Sequence, residues 1–317
     1  MKNILITGAT GQIGTELTMK MRQIYGADHI IASNIRVHKD NPITESGPFE
    51  ILDVRDHKRF YELAIKLDVD TIIHLASFLS ATAEKKPLDA WDLNMGGLLN
   101  ALEVSKALKC QFFTPSSIGA FGPSTEKHNT PQEALQRPNT MYGINKVAGE
   151  LLCEYYFTKY GVDTRGLRFP GLISHTALPG GGTTDYAVHI YYEAIKHGHY
   201  TSYLKGDTKM DMMYMPDAIN SILKLLEAPA DLLKHRNAYN VSAMSFSPDE
   251  IMKSIKKVLP DFKMDYQIDP IRQNIADSWP DSIDSAAARD EWNFRAVYDL
   301  DSMTIDMINK IKQKLKG

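Results

Sequence analysis

The chain has 317 residues, with 36 Lys and Arg against 39 Asp and Glu for a formal charge of −3, and is 43% apolar and 24% charged. That composition suits an ordinary globular protein long enough to bury a sizeable core. The near balance of charge excludes a global field for nucleic acid or an anionic membrane, so an anionic ligand must be held by local geometry.

In chain order, the first apolar run is Lys2–Thr7, which stops at Gly8-Ala-Thr-Gly11-Gln-Ile-Gly14 and passes into a helical pattern carrying Leu17, Met21 and Ile24. A strand, a glycine turn and a helix in that order form a phosphate cradle: Gly8 permits the tight turn, Gly11 admits a pyrophosphate close to the backbone, and Gly14 lets the helix pack. The spacing is G-x-x-G-x-x-G rather than the commoner G-x-G-x-x-G, and its position directly after a first strand is what points to a dinucleotide. Gln12 and Ile13 lie inside the turn. A second run, His29–Ser33, leads to Asn34-Ile-Arg36, where an acid normally pairs with the adenosine 2′-hydroxyl. Asn34 can still bond a hydroxyl without repelling a 2′-phosphate, and Arg36 could attract one, so the choice between NAD and NADP stays open.

The run Glu50–Asp53 follows, with Asp53 either a turn former or an acceptor for the adenine amino group, and Val54 beside it. After a helix near Asp56–Leu67 comes Thr71–Leu75, with Leu75 and Ala76 at its end as further candidate cofactor contacts. A long helix over Pro87–Leu108 and the run Gln111–Thr114 continue the alternation. Parallel strands joined by right-handed crossovers, a doubly wound α/β sheet, are the expected result.

Pro115-Ser-Ser117 ends that strand at the sheet edge where such folds bind ligands. Tyr142-Gly-Ile-Asn-Lys146 opens a helix reaching about Tyr160, and the spacing of four puts phenol and ammonium on one face. A free phenol titrates near pH ~10 and a neighbouring cation favours its phenolate. Tyr142 can then take a hydroxyl proton as hydride leaves the adjacent carbon, while Ser117 orients the oxygen. Lys146 has a second use in binding a nicotinamide ribose.

These residues, with Asn94-Met-Gly-Gly97-Leu-Leu-Asn100, resemble the extended short-chain dehydrogenase/reductase superfamily in motif and order. Pro115–Pro123, Gln136-Arg-Pro138, Arg168-Phe-Pro-Gly171 and Pro179–Val188 narrow the resemblance, over nearly the whole chain, to the short-chain L-threonine 3-dehydrogenase family. It implies a Rossmann-type doubly wound parallel sheet with a smaller C-terminal substrate-binding lobe, divided as 1–171 and 172–317, with some later segments returning to the sheet. The activity implied is NAD-dependent oxidation of the L-threonine 3-hydroxyl to 2-amino-3-oxobutanoate, in threonine catabolism toward glycine. The resemblance carries over Tyr142 as base, Lys146 as its activator and Ser117 as orienter. It also carries over Ser80, Thr183, Thr184, Asp185 and Trp279 as substrate contacts and Leu172 as a contact to the carboxamide end of the cofactor. It further implies a homodimer through the two long helices, functional coupling to a 2-amino-3-oxobutanoate CoA ligase, and closure of the segment 179–186 with Trp279. Asn34 stands where that family usually has Asp.

Beyond Leu172 the alternation loosens into helical patterns at Asp185–Lys196, Pro216–Leu226 and Pro248–Leu259 and strand-like runs at Tyr200–Leu204 and Ala238–Val241. Thr184 and Asp185 are placed to cap the helix behind them. The methionines of Asp211–Met215 and His74 read as core residues, no metal cluster is expected, and Cys110 and Cys153 read as small apolar residues in a reducing compartment. No apolar run reaches the roughly 18 residues of a membrane span and no signal-peptide pattern opens the chain, so a cytoplasmic, unprocessed protein is expected, without a membrane or nucleic-acid partner. Two other functions use the same residues: a nucleotide-sugar epimerase or dehydratase, and a dinucleotide-sensing regulator without catalysis.

Overall fold

The computed structural model describes residues 1–37, 41–176 and 182–316. Apolar runs too short for helices form the strands of the central sheet, buried on both faces except towards its β3 edge. They are β1 (Ile4–Thr7), β2 (Ile30–Asn34), β3 (Phe49–Ile51), β4 (Thr71–His74), β5 (Gln111–Ser117) and β6 (Thr164–Phe169). β7 (Gly171–Ile173), β8 (His199–Ser202), β9 (Met210–Tyr214), β10 (Tyr239–Asn240), β11 (Met244–Phe246) and β12 (Lys263–Tyr266) follow. The main sheet has seven strands in the order β10-β6-β5-β4-β1-β2-β3, every pair parallel. It is a Rossmann-like α/β fold. Its order reverses beside β1, so the crevice at the carboxyl ends of β1 and β4 is the expected ligand position. β10 comes from the C-terminal half and pairs with β6 through Tyr239 and Leu167. β7, β9 and β11 form a second sheet, and β8 pairs with β12.

Helices α1 (Gln12–Tyr25), α2 (His57–Lys66), α3 (Ser80–Lys85), α4 (Pro87–Trp91), α5 (Gly97–Leu108) and α6 (Met141–Tyr160) belong to the first half. The second contributes α7 (Tyr186–His197), α8 (Met215–Glu227), α9 (Pro248–Val258), α10 (Pro270–Ser278), α11 (Ala286–Trp292) and α12 (Leu300–Lys314). One sheet face buries Leu17 and Met21 of α1 with Ile222 of α8. The other buries Phe60 of α2, Leu102 of α5 and Cys153 of α6. A third apolar cluster gathers Tyr191, Phe246, Trp279 and Met307 with Ile118 and Phe121.

The helix expected over Pro87–Leu108 is interrupted by a π-helical turn at Asp92–Gly96. One wider turn rotates Asn94 inward, where its side chain accepts from Phe78 N at 2.7 Å and donates to Asn145 Oδ1 at 3.1 Å. Gly97 then meets Val54, whose Cγ2 would lie 2.7 Å from an added Cβ. Such a turn has no signature in apolar spacing.

Asp211 of β9 is fully buried and accepts from Ser242 Oγ at 2.9 Å and Ile283 N at 2.8 Å. Burial pushes its carboxyl up to about 8. The folded value lies above that of an exposed Asp, near ~4. Its contribution to stability is therefore complete below that pH and is lost as pH rises through 8, with a slope on the order of 1 kcal/mol per pH unit. Urea unfolding across pH 5 to 8 is expected to show this decline, and Asp211→Asn to flatten it; an unchanged slope in the variant would refute the assignment.

Candidate active site

Gly8 follows β1 with φ +66°, and a Cβ there would lie 2.6 Å from Ala76 N, so only glycine lets the turn pass this close to the end of β4. Gly11 N donates to Gly8 O at 3.0 Å, and Gly11 caps α1 without a side chain. The first N–H groups of α1 consequently have no intrahelical acceptor and face the crevice. Gln12 Nε2 is buried without a hydrogen-bond partner among the described residues. Unsatisfied donors around a cradle that excludes Cβ atoms suit the pyrophosphate of a dinucleotide, so the residues present fit that cofactor. At Gly14 an added Cβ would lie 2.6 Å from both Gly8 O and Ala9 O. Gly14→Ala is expected to weaken dinucleotide binding by about tenfold or more through displacement of the turn, as read by titration calorimetry.

On the other side of the crevice, Ser117 ends β5 and its Oγ accepts from Gly119 N at 3.1 Å. With one lone pair so used, its O–H is free to donate to a substrate oxygen. Thr140 caps α6 by accepting from Gly143 N at 3.1 Å, which sets Tyr142 and Lys146 in the first two turns. Gly119 gives the Tyr142 ring its place, since a Cβ there would lie 3.2 Å from Cδ1 and Cε1. Tyr142 is largely buried. Lys146 Nζ donates to Pro115 O at 2.7 Å and lies 5.3 Å from the centre of the Tyr142 ring. The ammonium is thus anchored to the strand that carries Ser117.

Behind Lys146, His74 is buried and its Nδ1 lies 3.0 Å from Thr7 Oγ1. Burial first, and the Lys146 charge second, hold its imidazole down at about 3. It is neutral at physiological pH and puts no competing charge beneath the ammonium. One turn beyond Lys146, Glu150 forms an ion pair with Arg168 of β6 at 2.8 Å, both side chains 2% exposed. Ser116 and Gln136 also donate to Glu150.

A cleft with a cavity volume of about 240 Å³ joins the two halves. Its walls include Gly8, Gly11, Gln12, Ile13, Gly14, Leu75, Ser80, Ser117, Tyr142, Lys146, Leu172, Thr183, Thr184, Asp185 and Trp279, all named from the sequence. Five other candidates lie outside it. Asn34 is the last residue of β2 and Arg36 lies two residues past it. Both carboxylate oxygens of Asp53 accept from Arg55, at 3.0 and 2.8 Å, in a turn. Val54 is buried against Gly97, and Ala76 stands behind Gly8. Asp185 does not cap α7 with its side chain; its carboxylate turns back to accept from Gly182 N at 2.7 Å, because Thr183–Asp185 form a separate turn ahead of the helix. Pro179, Gly180 and Gly181 of the predicted substrate segment lie outside the described residues.

A model of the NAD dependent epimerase/dehydratase family matches residues 4–242. The chain belongs to this family. A Staphylococcus aureus protein described as an uncharacterized epimerase/dehydratase is 60% identical over 99% of this chain and 98% of its own. The crystal structure of L-threonine dehydrogenase from Clostridium difficile shares 65% identity and a TM-score of 0.98, covering 100% of this chain and 99% of that one. An L-threonine dehydrogenase structure from Phytophthora infestans shares 49% identity and a TM-score of 0.95, covering 98% and 99%.

In this epimerase/dehydratase chain, the cleft also has walls that sequence spacing did not single out. Leu79 and Ile118 add apolar surface to the lining, and Gly171 leaves room for Thr184, whose Cγ2 would lie 2.7 Å from a Cβ. Gly119 could have been recognised, since it stands two residues after Ser117, but its contact with Tyr142 depends on how α6 docks. Among the described residues no group of three or more His, Cys, Asp or Glu could hold a metal ion, and no helix is long and apolar enough to cross a membrane.

Proposed function

We propose that this chain is an NAD-dependent L-threonine 3-dehydrogenase. One observation carries the reading: Ser117, Tyr142 and Lys146 open onto a compartment bounded by Thr183, Thr184, Asp185 and Trp279 in which Lys146 is the single basic side chain among the described lining. Such a nearly neutral space suits a small zwitterion. It offers no second cation for the diphosphate of a nucleotide sugar. The likeness to L-threonine dehydrogenase structures supports the same substrate.

In this mechanism the hydroxyls and backbone N–H groups of Thr183 and Thr184 hold the amino acid, and Trp279 with Leu79 excludes water. Ser117 donates to the 3-oxygen and keeps it facing Tyr142. Tyr142 Oη accepts the hydroxyl proton while Lys146 stabilises the negative charge developing on that oxygen. A nicotinamide dinucleotide, when bound, would supply the hydride acceptor, with Leu172 among the residues that would hold it. The proton leaves through Tyr142, the hydride leaves from carbon 3, and the product is a 3-oxo acid. Purified protein with L-threonine and NAD⁺ at mildly alkaline pH is expected to form NADH. Turnover of a nucleotide sugar in place of threonine would decide for an epimerase.

The same reading includes a homodimer. Trp91, Leu99, Leu151 and Tyr155 are exposed together along α4, α5 and α6, and a lone subunit would leave this apolar face in water. Light scattering is expected to give a mass near twice that of the 35.6 kDa chain; a monomer would contradict the pairing.

A further inference from the structure

We propose that the adenosine-ribose subsite of this chain accepts a 2′-phosphate, so that NADP⁺ binds within about tenfold of NAD⁺. The inference rests on the dinucleotide reading above and concerns the end of the cofactor site away from the chemistry. Asn34 ends β2 alongside the glycine turn. Its Nδ2 donates to Thr10 Oγ1, and its Oδ1 accepts from Ile35 N at 2.8 Å. The backbone thereby takes one of the amide oxygen's two lone pairs. What remains to face a ribose is that oxygen's second lone pair, a second Nδ2 hydrogen and the Thr10 hydroxyl proton, with no negative charge among them.

An acid in this position would accept from the 2′-hydroxyl of NAD⁺ and repel the extra phosphate of NADP⁺. Here the available groups are neutral: the remaining lone pair can accept from a hydroxyl, and the two donors match phosphate oxygens. Arg36, two residues on, is exposed and forms no ion pair among the described residues, so its guanidinium is free for a bidentate phosphate contact. Asp53, the acid on the neighbouring turn, is already paired with Arg55 at 2.8 Å, and its charge is compensated.

Titration calorimetry of the whole protein with NAD⁺ and with NADP⁺ tests this without reference to turnover. The parent chain is expected to give dissociation constants within about tenfold of each other. Asn34→Asp keeps an acceptor for both Ile35 N and the Thr10 hydroxyl, so it preserves the turn while adding charge. It is expected to weaken NADP⁺ by at least about tenfold and leave NAD⁺ unchanged or tighter. Arg36→Met is expected to weaken NADP⁺ about fivefold, reduce its salt dependence and spare NAD⁺. NADP⁺ binding weaker than NAD⁺ by more than that tenfold margin in the parent, or unaffected by Asn34→Asp, overturns the proposal and leaves the NAD reading intact. Failure of both dinucleotides to bind overturns the two together.

Discussion

Tyr142→Phe is expected to lower threonine-dependent NADH formation by about 10³-fold or more while leaving the NAD⁺ dissociation constant within about threefold of the parent. The substitution removes only Oη. The ring keeps its place against Gly119, and Lys146 keeps its bond to Pro115 O, so the cleft retains its shape. Loss of the proton acceptor then appears in kcat and not in binding. Stopped-flow turnover with calorimetry on the same preparation separates the two quantities. A variant that turns over within tenfold of the parent would remove Tyr142 from the chemistry. One that binds NAD⁺ normally and retains the protein's full cellular effect would favour a dinucleotide-sensing regulator.

The largest expected effect on stability comes from the ion pair beneath the site. Arg168 donates to both Glu150 oxygens, at 3.1, 3.0 and 2.8 Å, to Gln132 O at 2.7 Å and to Asn240 Oδ1 at 3.2 Å. The group ties α6, β5, β6 and β10 together, one helical turn from Lys146. Arg168→Met leaves a carboxylate buried without its cation, and Glu150→Gln leaves the reverse. Either is expected to cost about 3–5 kcal/mol in urea unfolding. The double variant Glu150→Gln/Arg168→Met removes both charges and is expected to recover more than half of that loss. Additive losses would show that packing, rather than an orphaned charge, dominates at this position.

The Arg168 cluster also shows where reading the sequence stops. The strand at Lys2–Thr7, the Gly8–Gly14 turn, the helix carrying Tyr142 and Lys146, and Ser117 at a strand end are local patterns. Strand burial, turn geometry and a spacing of four are written in neighbouring residues, and they point to a doubly wound sheet and to the glycine turn, Ser117, Tyr142 and Lys146, whereas Ser80, Leu172, Thr183, Thr184, Asp185 and Trp279 come only from the family resemblance. Legibility was poorer after Leu172, where β7, β9 and β11 assemble a second sheet and β10 joins the first.

By itself, then, the sequence determined the alternation of elements, the cofactor cradle, the phenol–ammonium pair and the unusual Asn34. Only the tertiary structure decided which polar groups are spent and which are available. It turned Asp185 back onto Gly182, paired Asp53 with Arg55, used the Asn34 oxygen on Ile35 N, and buried Asp211 and the Glu150–Arg168 pair. Those outcomes depend on which distant segments dock and exclude water. A polar side chain's partner, and the charge it can keep, follow from that desolvated neighbourhood and not from its place in the chain.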